Sequence, residues 1–569
     1  MARTNSAKLD RKKLLADPLV VITIISIIVF LSLFIVYPLF TLMIESVYND
    51  GRVTLSEFRR ILTLPSLRGV MTNTIRLGLI SGVLSAAIGF LFAYVDCYLD
   101  IPIKFVRRLF NVVALLPIVS PPFVIALSAI LLFGRSGLIT RNLLGIYDFN
   151  IAGLHGIVIV QTLTFFPICY LMLRGLLKNI DPSIEESARN MGASRLRVFA
   201  TVTFPLMLPG IGNAFLVVFI EAISDFTNPI LIGGSYSVAA TAIFMQVMGA
   251  YDTRGAAALA VVLLGITIGM FCIQKYWIEK KTVSTLSGKA SRERQLIKDK
   301  SVVYPLTVLC GLLSAFVLLM YALVPLGALF RLWGRNYSLT LDHFRHVQRV
   351  GMGVFRDSVV LSSIAAPITA VAAMLIAYLI VKRTFLGKRY MEFVSLFAMA
   401  VPGTVLGIGY IRGFNRGLFD SGFLAITGTG AIIVIAFIVR SLPVGIRSGV
   451  GALRQIDKSI EESAYDLGAG SGRVFMTVTL PLIKDSFFSG LVTAFVRSMT
   501  ATSAVILLVS PSFQLITPQI MAQADIGRFG VACAYATILI VIVYGAILVM
   551  NLFLKFFGTS RKVKEVELA

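Results

Sequence analysis

Twelve apolar runs, each about long enough to cross a bilayer, divide this chain: 18–44, 77–95, 109–134, 149–173, 198–220, 255–274, 301–330, 358–381, 393–411, 421–439, 486–524 and 529–554. A spanning helix needs about 20 apolar residues, because backbone N–H and C=O groups in lipid have to pair within the segment itself. Only Arg497 interrupts the eleventh run. The pattern predicts an all-α polytopic membrane protein of about twelve spans. With 57% hydrophobic and 14% charged residues, a soluble domain is excluded, since soluble domains carry about a quarter charged residues. The first run is too long for a signal-peptide core and lacks a cleavage site, so it reads as a retained span.

The formal charge of +23 does not indicate nucleic acid, because the positive residues sit in short connectors between apolar runs. Lysine and arginine concentrate in cytoplasmic connectors. With the N-terminus inside, 34 of the 52 basic residues fall on the inner side and 16 on the outer, leaving Arg440 and Arg497 within or at the ends of spans. Both termini are then cytoplasmic, and so is the most charged connector, residues 280–300. Cys97, Cys169, Cys272, Cys310 and Cys533 are scattered without a CxxC spacing, so neither a zinc site nor a disulfide framework is indicated.

That connector divides a repeat. Residues 180–206 and 456–482 align without gaps at 18 identical positions of 27, and the same register pairs Pro167 with Pro443 and Phe219 with Phe495. Residues 73–94 face 357–378 at a slightly larger spacing, and the proline-bearing stretches 116–122 and 400–404 correspond loosely. The chain therefore reads as a first half at 1–279, a linker at 280–300 and a second half at 301–569. Each half has six spans in the same orientation, a parallel repeat about an axis along the membrane normal.

The duplicated stretch is polar in an otherwise apolar chain. Ser183 and Ser459 stand three residues before Glu186 and Glu462, a capping-box spacing, and the pairs Glu185–Glu186 and Glu461–Glu462 favour the positive end of a short helix. Gly192 and Gly468 are suited to end that helix. The expectation is a preformed knob on the cytoplasmic side, able to move as a rigid body.

Its pattern is Glu-x-Ala, three residues, glycine, nine residues, then aliphatic-x-hydrophobic-proline. Glu186, Ala188, Gly192, Val202 and Pro205 carry it in the first half, and Glu462, Ala464, Gly468, Val478 and Pro481 in the second. It resembles the EAA loop of the membrane subunits of binding-protein-dependent ABC importers. Both copies have serine, at Ser187 and Ser463, where that family often has alanine. The resemblance implies two tandem six-helix permease halves of the type I importer fold in a bacterial inner membrane. It also implies that both loops dock on a cytoplasmic ABC ATPase homodimer, and that an extracytoplasmic solute-binding protein delivers the cargo. No GxxxxGK[ST] phosphate-binding loop occurs in the sequence. The expected chain is a transport subunit without catalytic residues or a cofactor of its own, and ATP is used by the partner.

Residues 219–233 and 401–410 further resemble the ferric-iron importer permeases, while closely similar fused chains import 2-aminoethylphosphonate, thiamine or sugar phosphates. Fe³⁺ prefers anionic oxygen, so Glu221 and Asp225 are the pathway and cargo-binding candidates for iron. Arg440 and Arg497 would suit a phosphonate. Each of the four also has a reading as an interhelical tie. The repeat register sets Glu221 opposite Arg497, equivalent positions of opposite charge. A gradient-driven secondary transporter also fits twelve spans in two halves, but gives the duplicated loop nothing to dock on. The i,i+3 pair His343 and His346 tempts as a metal site but reads as an ordinary solvated pair.

Overall fold

The computed structural model describes residues 18–49, 51–278 and 294–557. Residues 1–17, 50, 279–293 and 558–569, including most of the charged connector, lie outside the described set. Among the described residues, eleven helices are long and apolar enough to cross a membrane, from Val20–Val47 to Phe529–Leu552.

The difference from twelve lies in one run. Residues 393–411 do not form a single helix but two, Lys388–Phe397 and Gly403–Phe414, of 10 and 12 residues. At about 1.5 Å per residue neither crosses a bilayer core alone. The matching run of the first half is broken too, into Lys104–Val119 and Phe123–Phe133. Both breaks fall at prolines, Pro121–Pro122 and Pro402, which have no N–H to continue the ladder. Ser120 donates twice to the Leu116 carbonyl, through its amide at 3.2 Å and its Oγ at 2.8 Å, and so closes the last turn before the first break. Such interruptions persist at membrane depth only where protein surrounds them, and Ser120, Pro121, Val401 and Pro402 are all buried.

The chain forms two compact units, Ser56–Val350 with Ile520–Ile540, and Met1–Leu55 with Gly351–Gln519 and Val541–Ala569. They are not the linear halves. In the first of these units, Lys300–Leu329, the opening span of the second half, packs on Phe123–Phe133, and Ser128 donates to the Met320 carbonyl. In the other, the opening span of the first half packs on Gly403–Phe414, and Tyr410 Oη donates to the Phe34 carbonyl at 2.9 Å. Each half thus contributes its opening helix to the unit built mainly by the other half.

Within the first unit Pro65–Tyr98, Leu154–Asn179 and Phe204–Ser224 form the core. Lipid tails are as apolar as leucine, so helices there associate through close packing at small residues. A Cβ on Gly89 would stand 2.7 Å from the Tyr170 backbone nitrogen and 2.9 Å from the Phe166 carbonyl oxygen, so this crossing admits glycine alone. The equivalent core of the other unit is Met352–Lys382, Gly430–Gln455 and Leu480–Thr500. At one end it buries Met374, Ala377, Leu453 and Ile483 together.

Two small β-hairpins depart from an all-helical chain: Tyr48–Asn49 with Arg52–Val53, and Phe330–Leu332 with Asn336–Leu339. Each follows an opening span and precedes a short amphipathic helix, Ser56–Thr63 or Asp342–Val350.

Candidate functional site

Both copies of the repeated segment fold alike. Leu154–Asn179 ends at an extended Ile180, the short helix Pro182–Asn190 follows, and Gly192 turns the chain with φ +86°. A second short helix, Arg195–Val198, then enters Phe204–Ser224 through a π turn at Phe199–Thr203. In the other copy Gly430–Gln455 leads to Lys458–Asp466, Gly468 turns with φ +81°, and Ser471–Val474 and a π turn at Phe475–Thr479 lead into Leu480–Thr500.

The two glycines are required by backbone shape, because a residue with a side chain pays to enter the left-handed region. Nothing lies within 4 Å of a Cβ built on either, so the requirement is conformational and not one of space. The duplicated π turns have a local cause in Pro205 and Pro481. A proline ring collides with the carbonyl four residues back, and a turn of i→i−5 type, here Phe204 N to the Phe199 carbonyl, moves that carbonyl aside. Thr201 and Thr477 each return a hydroxyl to the carbonyl four residues earlier, Arg197 or Arg473, at 2.6 Å.

The caps differ from expectation. Asp181 Oδ1 accepts from the Ser183 amide at 3.0 Å, and Asp457 Oδ1 accepts from the Ser459 amide at 3.0 Å. Ser183 and Ser459 are therefore the capped residues and not the caps, and Glu186 and Glu462 do not close a capping box. Pro182 takes the first helical position, where its missing N–H costs nothing. The Ser459 amide and hydroxyl hold the Asp457 carboxyl below its usual range.

Of the two glutamates in the first copy, one faces inward. Glu185 is 9% exposed, and its Oε1 accepts from both Tyr98 Oη and Thr203 Oγ1 at 2.6 Å. It ties the short helix to the end of Pro65–Tyr98 and to the π turn, which removes it from any docking surface. Glu186 is half-buried, Glu462 is exposed, and Ala188 and Ala464 are half-buried. The Glu461 side chain lies outside the described set.

The knobs also carry an apolar surface that their charge pattern does not announce. Ile184 is 48% exposed and Met191 83%, and the residues in register with them, Ile460 and Leu467, are 45% and 89% exposed. These uncovered aliphatic side chains recur at matching positions on both copies of an otherwise polar loop. The signal was available: these are the apolar positions of a segment otherwise rich in charge.

The pathway candidates divide. Asp225 follows Phe204–Ser224, and its Oδ1 accepts from the Thr227 and Asn228 amides at 2.9 and 3.4 Å, while its Oδ2 accepts from Gln161 Nε2 at 3.0 Å and Asn228 Nδ2 at 2.8 Å. Four donors fill the positions a carboxylate offers, so Asp225 caps the Thr227–Ile232 helix and is no open ligand. Arg440 donates to the Val401 carbonyl at 2.7 Å, at the break in the third span. Glu221 and Arg497 both lie in the last turn of the fifth span of their half and are half-buried. His343 Nε2 lies 3.1 Å from the Phe330 carbonyl. Among the described residues no three His, Cys, Asp or Glu side chains gather as a metal site.

Comparison with known proteins accords with this geometry. The family of binding-protein-dependent transport system inner membrane components matches twice, at residues 88–282 and 367–562. The ferric transport system permease protein FbpB of Actinobacillus pleuropneumoniae is 35% identical over 547 residues, 94% of this chain and 78% of that protein. The Fe(3+)-transport system permease protein FbpB 2 of Haemophilus influenzae is 23% identical over 491 residues, 86% of this chain and 90% of that protein. The molybdenum transport system permease protein ModB of Escherichia coli is 27% identical over 221 residues, 38% of this chain but 95% of that protein. ModB thus matches part of this chain, whereas FbpB matches nearly all of it. With two copies of one permease domain in a chain of membrane-crossing helices, this protein belongs to the family of binding-protein-dependent transport system inner membrane components, as a tandem permease subunit of an ABC importer.

Proposed function

We propose that this chain forms the membrane path of an ATP-driven importer that takes iron(III) from an extracytoplasmic binding protein and releases it into the cytoplasm. The observation that carries the proposal is the duplicated knob. Each copy has an aspartate cap, a left-handed glycine turn and an exposed pair of aliphatic residues, Ile184 with Met191 and Ile460 with Leu467. In this reading each knob sits on one protomer of an ABC ATPase dimer, and the glycine turns let the short helices move as rigid bodies with the spans that follow them. Hydrolysis belongs to the ATPase, because no GxxxxGK[ST] loop occurs in this sequence. The orientation with both termini and both knobs in the cytoplasm rests on the lysine and arginine count.

Iron(III) is supported by the relatives named for ferric transport, one of which spans nearly the whole chain. Among the pathway candidates Glu221 offers an anionic oxygen of the kind a hard cation prefers, whereas Asp225 is already saturated. The reading is tested in vesicles carrying this chain and its ATPase, with the binding protein added outside. Labelled iron(III) should accumulate only with ATP inside, and 2-aminoethylphosphonate, thiamine or a sugar phosphate in excess should not compete. Accumulation of one of those solutes in place of iron would overturn the cargo assignment, and uptake driven by an ion gradient without ATP would overturn the mechanism.

A further inference from the structure

The end of the connector between the halves is not slack. Ile297 N donates to the Tyr98 carbonyl at 2.8 Å, and Asp100 N donates to the Ile297 carbonyl at 3.0 Å, so residues 297 and 99 form a parallel bridge just beyond the Pro65–Tyr98 helix. Three residues earlier Arg294 turns inward. Its Nη1 and Nη2 donate at 3.0 Å to the carbonyls of Leu177 and Ile180, the acceptors left open where the Leu154–Asn179 helix stops. Its guanidinium lies 4.1 Å from the centre of the Tyr98 ring, on the face that attracts cations. Its Nε stands 3.3 Å from Glu185 Oε2, an ion pair whose angle falls short of a hydrogen bond.

The side chains of Arg294 and Glu185 are only 11% and 12% exposed. A pair so enclosed is little screened by water, and deleting one member leaves the other charged and uncompensated. Glu185 in turn holds Tyr98 and Thr203. One arginine of the connector and one glutamate of the knob therefore join the ends of two spans, the first short helix and the π turn through which that helix meets the fifth span. Beyond them, Asp299 caps the Lys300–Leu329 helix through the Ser301 amide and lies 3.4 Å from Arg195. That last pair is about half exposed and contributes little.

We infer that residues 294–299 act as a strap that fixes the first knob on the membrane helices, with Arg294 and Glu185 as positioning residues that transmit force rather than contact the ATPase. The strap is a matter of this chain's own fold; its consequence for transport rests on the importer reading above. At the position of Tyr98 the repeat register places Lys382 in the second half, so the ring beneath Arg294 belongs to the first copy.

The test has two arms. In the purified full-length chain in detergent, hydrogen exchange is followed in residues 182–203 of the wild type, Arg294→Gln, Glu185→Gln and the double variant. Loss of the strap should speed exchange there by about tenfold or more. The effect in the double variant should be less than the sum of the two single effects, because the ion pair is common to both, and Arg294→Lys should fall between. Unchanged exchange in Arg294→Gln would overturn the strap. In vesicles with the ATPase and the iron-loaded binding protein, the ATP consumed per iron imported should rise severalfold in Arg294→Gln. Faster exchange with an unchanged ratio would overturn the coupling role and leave a purely structural tie. Absence of ATP-dependent uptake by the wild type would instead reject the importer reading, and the exchange arm would still decide the strap.

Discussion

Arg440 Nη1 donates to the Val401 carbonyl at 2.7 Å, across the break that separates Lys388–Phe397 from Gly403–Phe414. The first half has Thr164 in that register. A guanidinium that closes a broken helix serves the fold before it serves a cargo. Arg440→Leu should lower the thermal unfolding temperature in detergent, at a cost of about 1.5–3 kcal/mol for a charged hydrogen bond. Uptake per folded molecule should keep its preference among cargoes. An intact melting temperature with altered preference would return Arg440 to the pathway.

Asp225 makes the same point with the opposite charge. Asparagine there keeps the size but turns an NH₂ group toward Gln161 Nε2 or Asn228 Nδ2, setting donor against donor. Asp225→Asn should destabilise the chain by about 1–3 kcal/mol and reduce the amount recovered folded. Full recovery with a specific loss of iron uptake would show that the carboxylate serves the cargo.

Gly192 and Gly468 hold φ of +86° and +81° with open space around them. Valine at either should cost about 1–3 kcal/mol of backbone strain, confined to the knob. The double Gly192→Val, Gly468→Val variant should insert normally and lose most ATP-driven uptake. Undiminished uptake at normal protein levels would remove the turns from the mechanism.

Sidedness is open to direct labelling. Leu339, at 76% exposed on the second β-hairpin, and Met191, on the first knob, should fall on opposite faces. A cysteine at Leu339 should react with an impermeant maleimide added to intact spheroplasts, and one at Met191 only after lysis. The reverse pattern would invert the topology.

Most of the spans were legible in the sequence because lipid imposes one rule on every residue of a run. The breaks in the third spans were not, since Pro121, Pro122 and Pro402 sit in stretches that stay apolar throughout. The knob is legible as a unit, but its caps, Asp181 and Asp457, lie two residues before the serines that the glutamate spacing singles out. Pro182 at the first helical position points to Asp181 as the cap of the first copy. Glu185 and Glu186 are chemically alike and adjacent, yet about 100° apart around a helix, so only the packing of Tyr98 and Thr203 reveals which one is buried. The opening spans packed with the opposite half, as Tyr410 with Phe34, leave no local signature, because the contact joins residues hundreds of positions apart.

The central claim is that both knobs meet an ABC ATPase, and crosslinking tests it most directly. A photoreactive residue is placed at Met191, at Leu467, or at Leu339 as a control, in membranes that also hold the co-expressed ATPase. Illumination should join the ATPase to the chain from Met191 and from Leu467 but not from Leu339. If neither Met191 nor Leu467 captures the ATPase while the assembly remains intact, the duplicated knobs are not its docking sites and the account fails.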